Sequence, residues 1–152
     1  MASQADFLRR YRPQFAGRNG RHAAVLLFAD IVGFSALSAD LVRKDDRGAE
    51  LIVDTLNAVY RDVFSVITQE GGQVINIAGD AVMALWSPAE FDRALNAANT
   101  LAKGGAAAQG LALKLWVGKG EIETRHVFTR EKTGFTVYGG PLLQALAADA
   151  QS

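Results

Sequence analysis

Gly72-Gln73-Val74-Ile75-Asn76-Ile77-Ala78-Gly79-Asp80-Ala81-Val82-Met83-Ala84-Leu85-Trp86 is the stretch on which the fold turns. Its residues 74–77 and 81–86 are two short apolar strands about Ala78-Gly79-Asp80, a pattern that predicts a tight β-hairpin. Upstream, Ile52, Leu56, Val59, Val63 and Ile67 recur at steps of three and four, so residues 47–69 read as a long amphipathic helix. Asp45 and Asp46 stand at its start, where the helix dipole favours acidic groups. Gly71 and Gly72 end it, and termination explains this glycine pair without any nucleotide loop. Further upstream, the apolar run 23–29 suits a strand buried on both faces, followed by a turn at Asp30-Ile31-Val32-Gly33.

Downstream of the hairpin, Ser87-Pro88-Ala89-Glu90 has the spacing of a capping box with proline at the first helical position. A second helix is predicted from there to about Lys103, with Phe91, Leu95, Ala98 and Ala102 as its core stripe. After a glycine- and alanine-rich loop to Gly110, Leu111, Leu113, Leu115 and Val117 alternate as a fourth strand. Residues 124–138 read as a further hairpin turning near Lys132 to Gly134, and 141–150 as a closing helix. Residues 1–21 form a polar, arginine-bearing lead-in, read as a flexible arm in preference to a short helix at 6–11, and residues 22–152 form one domain.

The order strand, helix, strand, strand, helix, strand is the split βαβ arrangement. It predicts an α+β fold: a ferredoxin-like βαββαβ sandwich with an antiparallel sheet and helices on one face. A right-handed crossover through the long helix returns the second strand parallel to the first. The hairpin tip holding Asp80 then lies at the same sheet edge as Asp30, and the two carboxylates face one another.

Composition narrows what such a domain does. The chain has 152 residues with 16 Lys+Arg against 16 Asp+Glu, a net charge of zero, which argues against a domain that lives on the nucleic-acid backbone. It has no cysteine, which removes disulfides, thiolate zinc sites and cysteine nucleophiles, and it fits a reducing, cytoplasmic setting. The apolar run 23–29 is too short to cross a bilayer, and the first 20 residues lack a signal-peptide core.

Two aspartates at the end of a buried strand repel unless a cation or proton sits between them. Mg²⁺ is commonly held by one or two carboxylates together with substrate phosphates and water. Beside Asp30, the turn Ile31-Val32-Gly33-Phe34-Ser35 directs backbone N–H groups outward at a helix start, a place where phosphate binds. Metal carboxylates beside a phosphate cradle imply nucleotide chemistry. The spacing also leaves open a plainer reading, in which Asp30 caps a helix and Asp80 satisfies a turn. His22 and His126 are isolated in sequence and read as surface residues. Trp86 and Trp116 read as core or interface residues, Arg47 and Glu50 as a solvated helix face, and Lys119 and Glu121 as residues beyond the fourth strand.

The segments Leu26-Leu27-Phe28-Ala29-Asp30-Ile31-Val32-Gly33-Phe34-Ser35 and 72–86 resemble the two signature segments of class III nucleotidyl cyclase domains. Asp46-Arg47-Gly48-Ala49-Glu50, followed by Leu56-Asn57, is similar in particular to the first catalytic domain of the tandem, soluble, bicarbonate-regulated type of adenylyl cyclase. The resemblance runs from about residue 23 to about residue 148 and weakens after Gly120. It implies a domain that works as a head-to-tail dimer with active sites at the interface. It matches Asp30 and Asp80 to the two metal aspartates that hold two Mg²⁺ or Mn²⁺ ions, the carbonyl of Ile31 to a further ligand, and Ile31, Val32, Gly33, Phe34 and Ser35 to the turn around the triphosphate. The implied reaction converts ATP, or GTP, to the cyclic nucleotide and pyrophosphate by attack of the ribose 3′-hydroxyl on the α-phosphate.

Departures from the family pattern carry as much information. Where complete sites place an asparagine and, four residues on, an arginine, this chain has Leu143 and Ala147, neither of which can donate to a phosphate. The purine-contact positions hold Asn76 and Thr136, and the bicarbonate-pocket positions match Asn76 and Leu146 in place of lysine and arginine. The resemblance therefore implies the metal-bearing half of a composite site, in which a second cyclase domain in the same or another chain supplies the asparagine, the arginine and the purine contacts while Asn76 and Thr136 line the pseudo-symmetric second pocket, with the isolated chain inactive. A degenerate domain that dimerises or senses nucleotide is the alternative. The chain also stops soon after the last matched helix, which reads as truncation at the domain's C-terminal end.

Overall fold

Odd-numbered residues of the first strand, Val25, Leu27, Ala29 and Ile31, enter one apolar cluster, and even-numbered Ala24, Leu26 and Phe28 enter another. Strand β1 (Gly20–Val32) is thus apolar on both faces, which is why its sequence reads as an unbroken hydrophobic run. The computed structural model describes residues 20–44, 46–78, 80–104, 110–128 and 133–139. Most of the lead-in, the turn after residue 128 and the closing helix expected at 141–150 lie outside the described residues.

Helix α1 (Phe34–Lys44) follows β1 directly, and α2 (Gly48–Gln69) makes the crossover. The hairpin is β2 (Gln73–Ala78) and β3 (Ala81–Trp86). A 3₁₀ turn (Pro88–Glu90) leads into α3 (Phe91–Lys103), and β4 (Ala112–Phe128) and β5 (Thr133–Gly139) complete the sheet. The sheet order is β2-β3-β1-β4-β5 with every neighbouring pair antiparallel. Because β1 and β2 both run against β3, they run parallel to each other, as the crossover requires. The α+β architecture with an antiparallel sheet is the one the element order predicts.

All three described helices pack on the face of the odd-numbered β1 residues. Val59, Val63, Phe64 and Ile67 of α2 and Ala94, Ala97 and Leu101 of α3 are buried there, with Phe34 and Leu37 of α1 against the margin. At the C-terminus of α2, Gly71 takes a positive φ of 75°, and the amides of Gly71 and Gly72 donate to the Thr68 and Ile67 carbonyls at 2.9 Å each. The indole Nε1 of Trp86 donates to the Glu70 carbonyl at 2.9 Å, fastening the helix end to β3.

Two expectations are corrected. The fully buried residues of α3 are Ala94, Ala97 and Leu101; of the expected stripe Phe91 and Ala98 pack against the same core partly buried, whereas Leu95, 38% exposed, and Ala102 are exposed. Residues 88–90 wind as a 3₁₀ turn, so the α-helix proper begins at Phe91 and not at Pro88. The fourth strand does not end near Val117 but runs on to Phe128. Lys119 and Glu121 are accordingly strand residues: the Lys119 ammonium lies 5.6 Å from the Phe91 ring centroid, and Glu121 pairs with Arg21 at 3.6 Å.

Candidate functional site

The C-terminal end of β1 meets the tip of the β2–β3 hairpin. Asp30 stands opposite Ala81 in the β1–β3 register, and the amide of Ile31 donates to the carbonyl of Asp80 at 3.2 Å. Both aspartates are half-buried. Strand alternation places Asp30 on the face of Phe28, opposite the helices, while Ile31 is buried on the helix face at 4% exposure.

Tyr60 of α2 reports on this edge from the helix side. It packs against the core beside Phe64, ring centroids 6.1 Å apart. Its phenol is raised above the ordinary value by burial first, then by the charge of Asp80, then by that of Asp30. Both carboxylates thus lie within electrostatic reach of this one side chain.

The five-residue turn singled out in sequence divides between elements. Ile31 and Val32 close β1, Gly33 makes the turn with a φ of +86° that favours glycine, and Phe34 and Ser35 open α1. The amide of Leu37 donates to the Gly33 carbonyl at 3.0 Å, the first bond of the helix. The amides of Phe34, Ser35 and Ala36 therefore belong to the helix's N-terminal set, which has no acceptor inside the helix. No acidic side chain lies in that first turn to compete with an anion for them.

Lys114 is a site candidate that the sequence did not reveal. It stands directly opposite Asp30 in the β1–β4 register. Leu113, Leu115 and Val117 pack against the helix-side cluster, so Lys114 shares the opposite face with Asp30. The alternation of β4 puts Lys114 on the face away from the helices, but only the register against β1 sets it opposite Asp30, and no local signal in the sequence gives that register.

The donor set fits a hard divalent cation. Among the described residues no third Asp, Glu or His joins the pair into a larger cluster. Two carboxylates with room for phosphate oxygens and water are the usual protein share of a Mg²⁺ site and too few for a closed cage. Of the other residues read from sequence, Asn76 and Thr136 fall on β2 and β5, the two outer strands. Leu143, Leu146 and Ala147 lie outside the described residues. Among the described residues no helix is long and apolar enough to cross a membrane.

Comparison with known proteins places this arrangement. An uncharacterised protein of Mycobacterium tuberculosis is 35% identical over 144 residues, 90% of this chain and 25% of its own length. Adenylate cyclase type 10 of Rattus norvegicus is 39% identical over 64 residues, 41% of this chain and 4% of its own. The chain thus spans a quarter or less of these relatives. Among solved structures, a bacterial light-regulated adenylyl cyclase superposes with a TM-score of 0.72 at 19% identity, covering 97% of this chain and 48% of the other, a likeness of fold. The profile of the adenylate and guanylate cyclase catalytic domain matches residues 19–103, more than half of the chain, and the chain belongs to that family.

Proposed function

We propose that this domain supplies the metal-binding half of a composite adenylyl cyclase site. The observation that carries the reading is the tie between Ile31 and Asp80, which fixes the hairpin tip against the end of β1 and so brings Asp30 and Asp80 to one edge. Asp30 and Asp80 would hold two Mg²⁺ or Mn²⁺ ions, with the carbonyl of Ile31 as a further ligand. The ions, when bound, lower the pKa of the attacking hydroxyl and neutralise phosphate charge.

The chain's own groups do the positioning. The amides of Phe34, Ser35 and Ala36 receive phosphate oxygens at the start of α1, with Gly33 turning the backbone toward them. Lys114 places a positive charge beside Asp30, where a triphosphate brings excess negative charge. The ribose 3′-oxygen forms a bond to the α-phosphorus as the bond from that phosphorus to the α–β bridging oxygen breaks; the hydroxyl proton passes to solvent and pyrophosphate leaves with the bridging oxygen. Such chemistry depends on alignment and charge stabilisation, the two things this edge provides. A partner cyclase domain, in the same or another chain, would supply the asparagine and arginine replaced here by Leu143 and Ala147. The local match to an adenylate cyclase favours ATP over GTP.

Leu143 and Ala147 also favour a second reading, a domain that binds nucleotide and regulates without turnover. One experiment addresses both. ATP and GTP are titrated into the purified chain with Mg²⁺ and Mn²⁺, and turnover is assayed for the chain alone and for the parent protein. The expected result is metal-dependent triphosphate binding that falls at least tenfold in Asp30→Ala, with cyclic nucleotide formed only by the parent. Equal binding by Asp30→Ala refutes the metal site, robust turnover by the chain alone refutes the composite site, and binding without turnover in either protein selects the regulatory reading.

A further inference from the structure

On the face of β1 turned away from the helices, burial ends at one residue. Ala24, Leu26 and Phe28 are closed off at 1%, 0% and 5% exposure, Asp30 is half-buried, and Val32 is 38% exposed. Asp30 therefore stands on the rim of an otherwise covered apolar face. Lys114 of β4, directly opposite and also half-buried, stands on the same rim.

Other charge around Asp30 is sparse. Its directly opposed residues are Ala81 on β3 and Lys114 on β4, and the diagonal neighbours on the same face include Met83, Ala112 and Trp116. Lys114 is the one charged residue among these. Directly opposed residues hold their Cβ atoms about 4.5–5.5 Å apart, a gap that the four-carbon stem of a lysine spans. Phe28 and Met83, buried beside the pair, give it an apolar floor, where charges are screened less than on an open surface.

An opposed lysine and aspartate also steady a sheet, and that plain role would suffice if Asp30 were alone. It is not alone, because the tie from Ile31 to the Asp80 carbonyl brings a second carboxylate to the edge. One ammonium set beside two carboxylates leaves the edge with a single net negative charge. Toward a free divalent cation Lys114 is then a repulsive neighbour. Toward the same cation wrapped in a triphosphate, a complex whose net charge is negative, it is an attractive one.

Resting on the metal-binding reading above, we infer that Lys114 makes this edge discriminate between a divalent ion carried by a triphosphate and the same ion free in solution. Without nucleotide, the Lys114 ammonium offsets Asp30 and weakens capture of a bare ion. With the metal–triphosphate complex present, the phosphate oxygens share the ammonium and Asp30 is released to the ion. Ion and nucleotide therefore enter together, and the two carboxylates do not wait loaded with metal. At about 6 Å, one unit charge changes the affinity of a divalent ion about tenfold even at the dielectric constant of water.

The test uses the whole chain at low salt, with Mn²⁺ alone and ATP with Mg²⁺ as probes, on the wild type, Lys114→Met, Lys114→Arg, Asp30→Ala and the double variant Asp30→Ala/Lys114→Met. Methionine keeps an unbranched stem and removes the charge, arginine keeps the charge, and circular dichroism checks that each variant is folded. Paramagnetic resonance of free Mn²⁺ should show affinity for the bare ion rising about tenfold in Lys114→Met and staying within about threefold of wild type in Lys114→Arg. Calorimetry should show Mg²⁺-dependent ATP affinity falling about tenfold in Lys114→Met. The opposite signs are the signature, since a lysine that only steadied the sheet would move both affinities the same way or neither. The gain in Mn²⁺ affinity should disappear in the double variant, which lacks the carboxylate. A gain that survives there is a general effect of net charge and overturns the inference, as does an unchanged or weaker Mn²⁺ affinity in Lys114→Met. In either case Mg²⁺-dependent ATP binding that is lost in Asp30→Ala leaves the metal-phosphate site standing. If Mg²⁺ does not improve ATP binding by the wild type, the site itself fails and the role of Lys114 with it.

Discussion

Replacing Gly72 with alanine should destabilise the domain through one contact. The added methyl would sit 2.2 Å from Cζ2, 2.4 Å from Cε2 and 2.8 Å from Cη2 of Trp86, against an optimum near 3.5–4.0 Å. The ring cannot simply yield, because Trp86 is 1% exposed and its Nε1 is bonded to the Glu70 carbonyl at 2.9 Å. Overpacking of this kind costs about 1–3 kcal/mol. Displacing the indole loses a hydrogen bond worth about 0.5–1.5 kcal/mol more. The reduced freedom of the unfolded chain returns about 0.4–1 kcal/mol, so the net loss centres on about 2 kcal/mol. Urea unfolding followed by far-ultraviolet circular dichroism should show a midpoint lower by about 1–2 M at an ordinary m-value. In a Trp86→Phe background, which lacks the fused ring and its N–H, the same substitution should cost under about 1 kcal/mol. Costs that add within about 0.5 kcal/mol in the double mutant would refute the reasoning. Gly72 immediately precedes β2, at the end of the hairpin remote from Asp80, so nucleotide binding by the folded fraction should persist.

Two titrations give further expectations. Tyr60 is raised above its ordinary 10.0 by burial and then by Asp80 and Asp30, so the folded chain favours its neutral form; that stabilisation is complete below pH 10 and is lost as pH rises through the raised value. Thermal unfolding from pH 9 to 12 should fall less steeply in Tyr60→Phe, and Mg²⁺ held between the aspartates should lower the tyrosinate transition of the wild type; the absence of any Mg²⁺ effect would count against the ion's placement. Glu90 is held below its ordinary 4.5, chiefly by the Ser87 hydroxyl at 2.8 Å, so its contribution is present above pH 4.5 and lost as pH falls through the depressed value. Glu90→Gln should lower the melting temperature at pH 7 and leave it unchanged at pH 2; an equal loss at both values would show that the carboxylate's charge plays no part.

The meeting of Asp30 and Asp80 was legible in sequence because it depends only on element order and crossover handedness. Neither the length of the strands nor the identity of the faces is needed to place a hairpin tip at the end of β1. Other features needed more. The capping-box spacing at Ser87 to Glu90 correctly located a helix start, and the Glu90 carboxylate does accept from the Ser87 hydroxyl and amide. The same few residues wind as a 3₁₀ turn, a choice that propensity does not declare, so the α-helix begins three residues later than the capping box suggests.

Lys114 was hidden for a different reason. Its significance lies in which residue of β1 it faces, and register between strands more than 80 positions apart is fixed by packing across the sheet. The glycines at 118 and 120 interrupt the alternation of β4, so in sequence the strand ends before them. In the fold, Gly118 is the place where the Trp116 ring lies against the sheet, and the strand continues to Phe128. A glycine inside a strand pattern often marks close approach by another group. Here that reading turns an apparent strand end into a bed for an aromatic ring on the same face as Asp30.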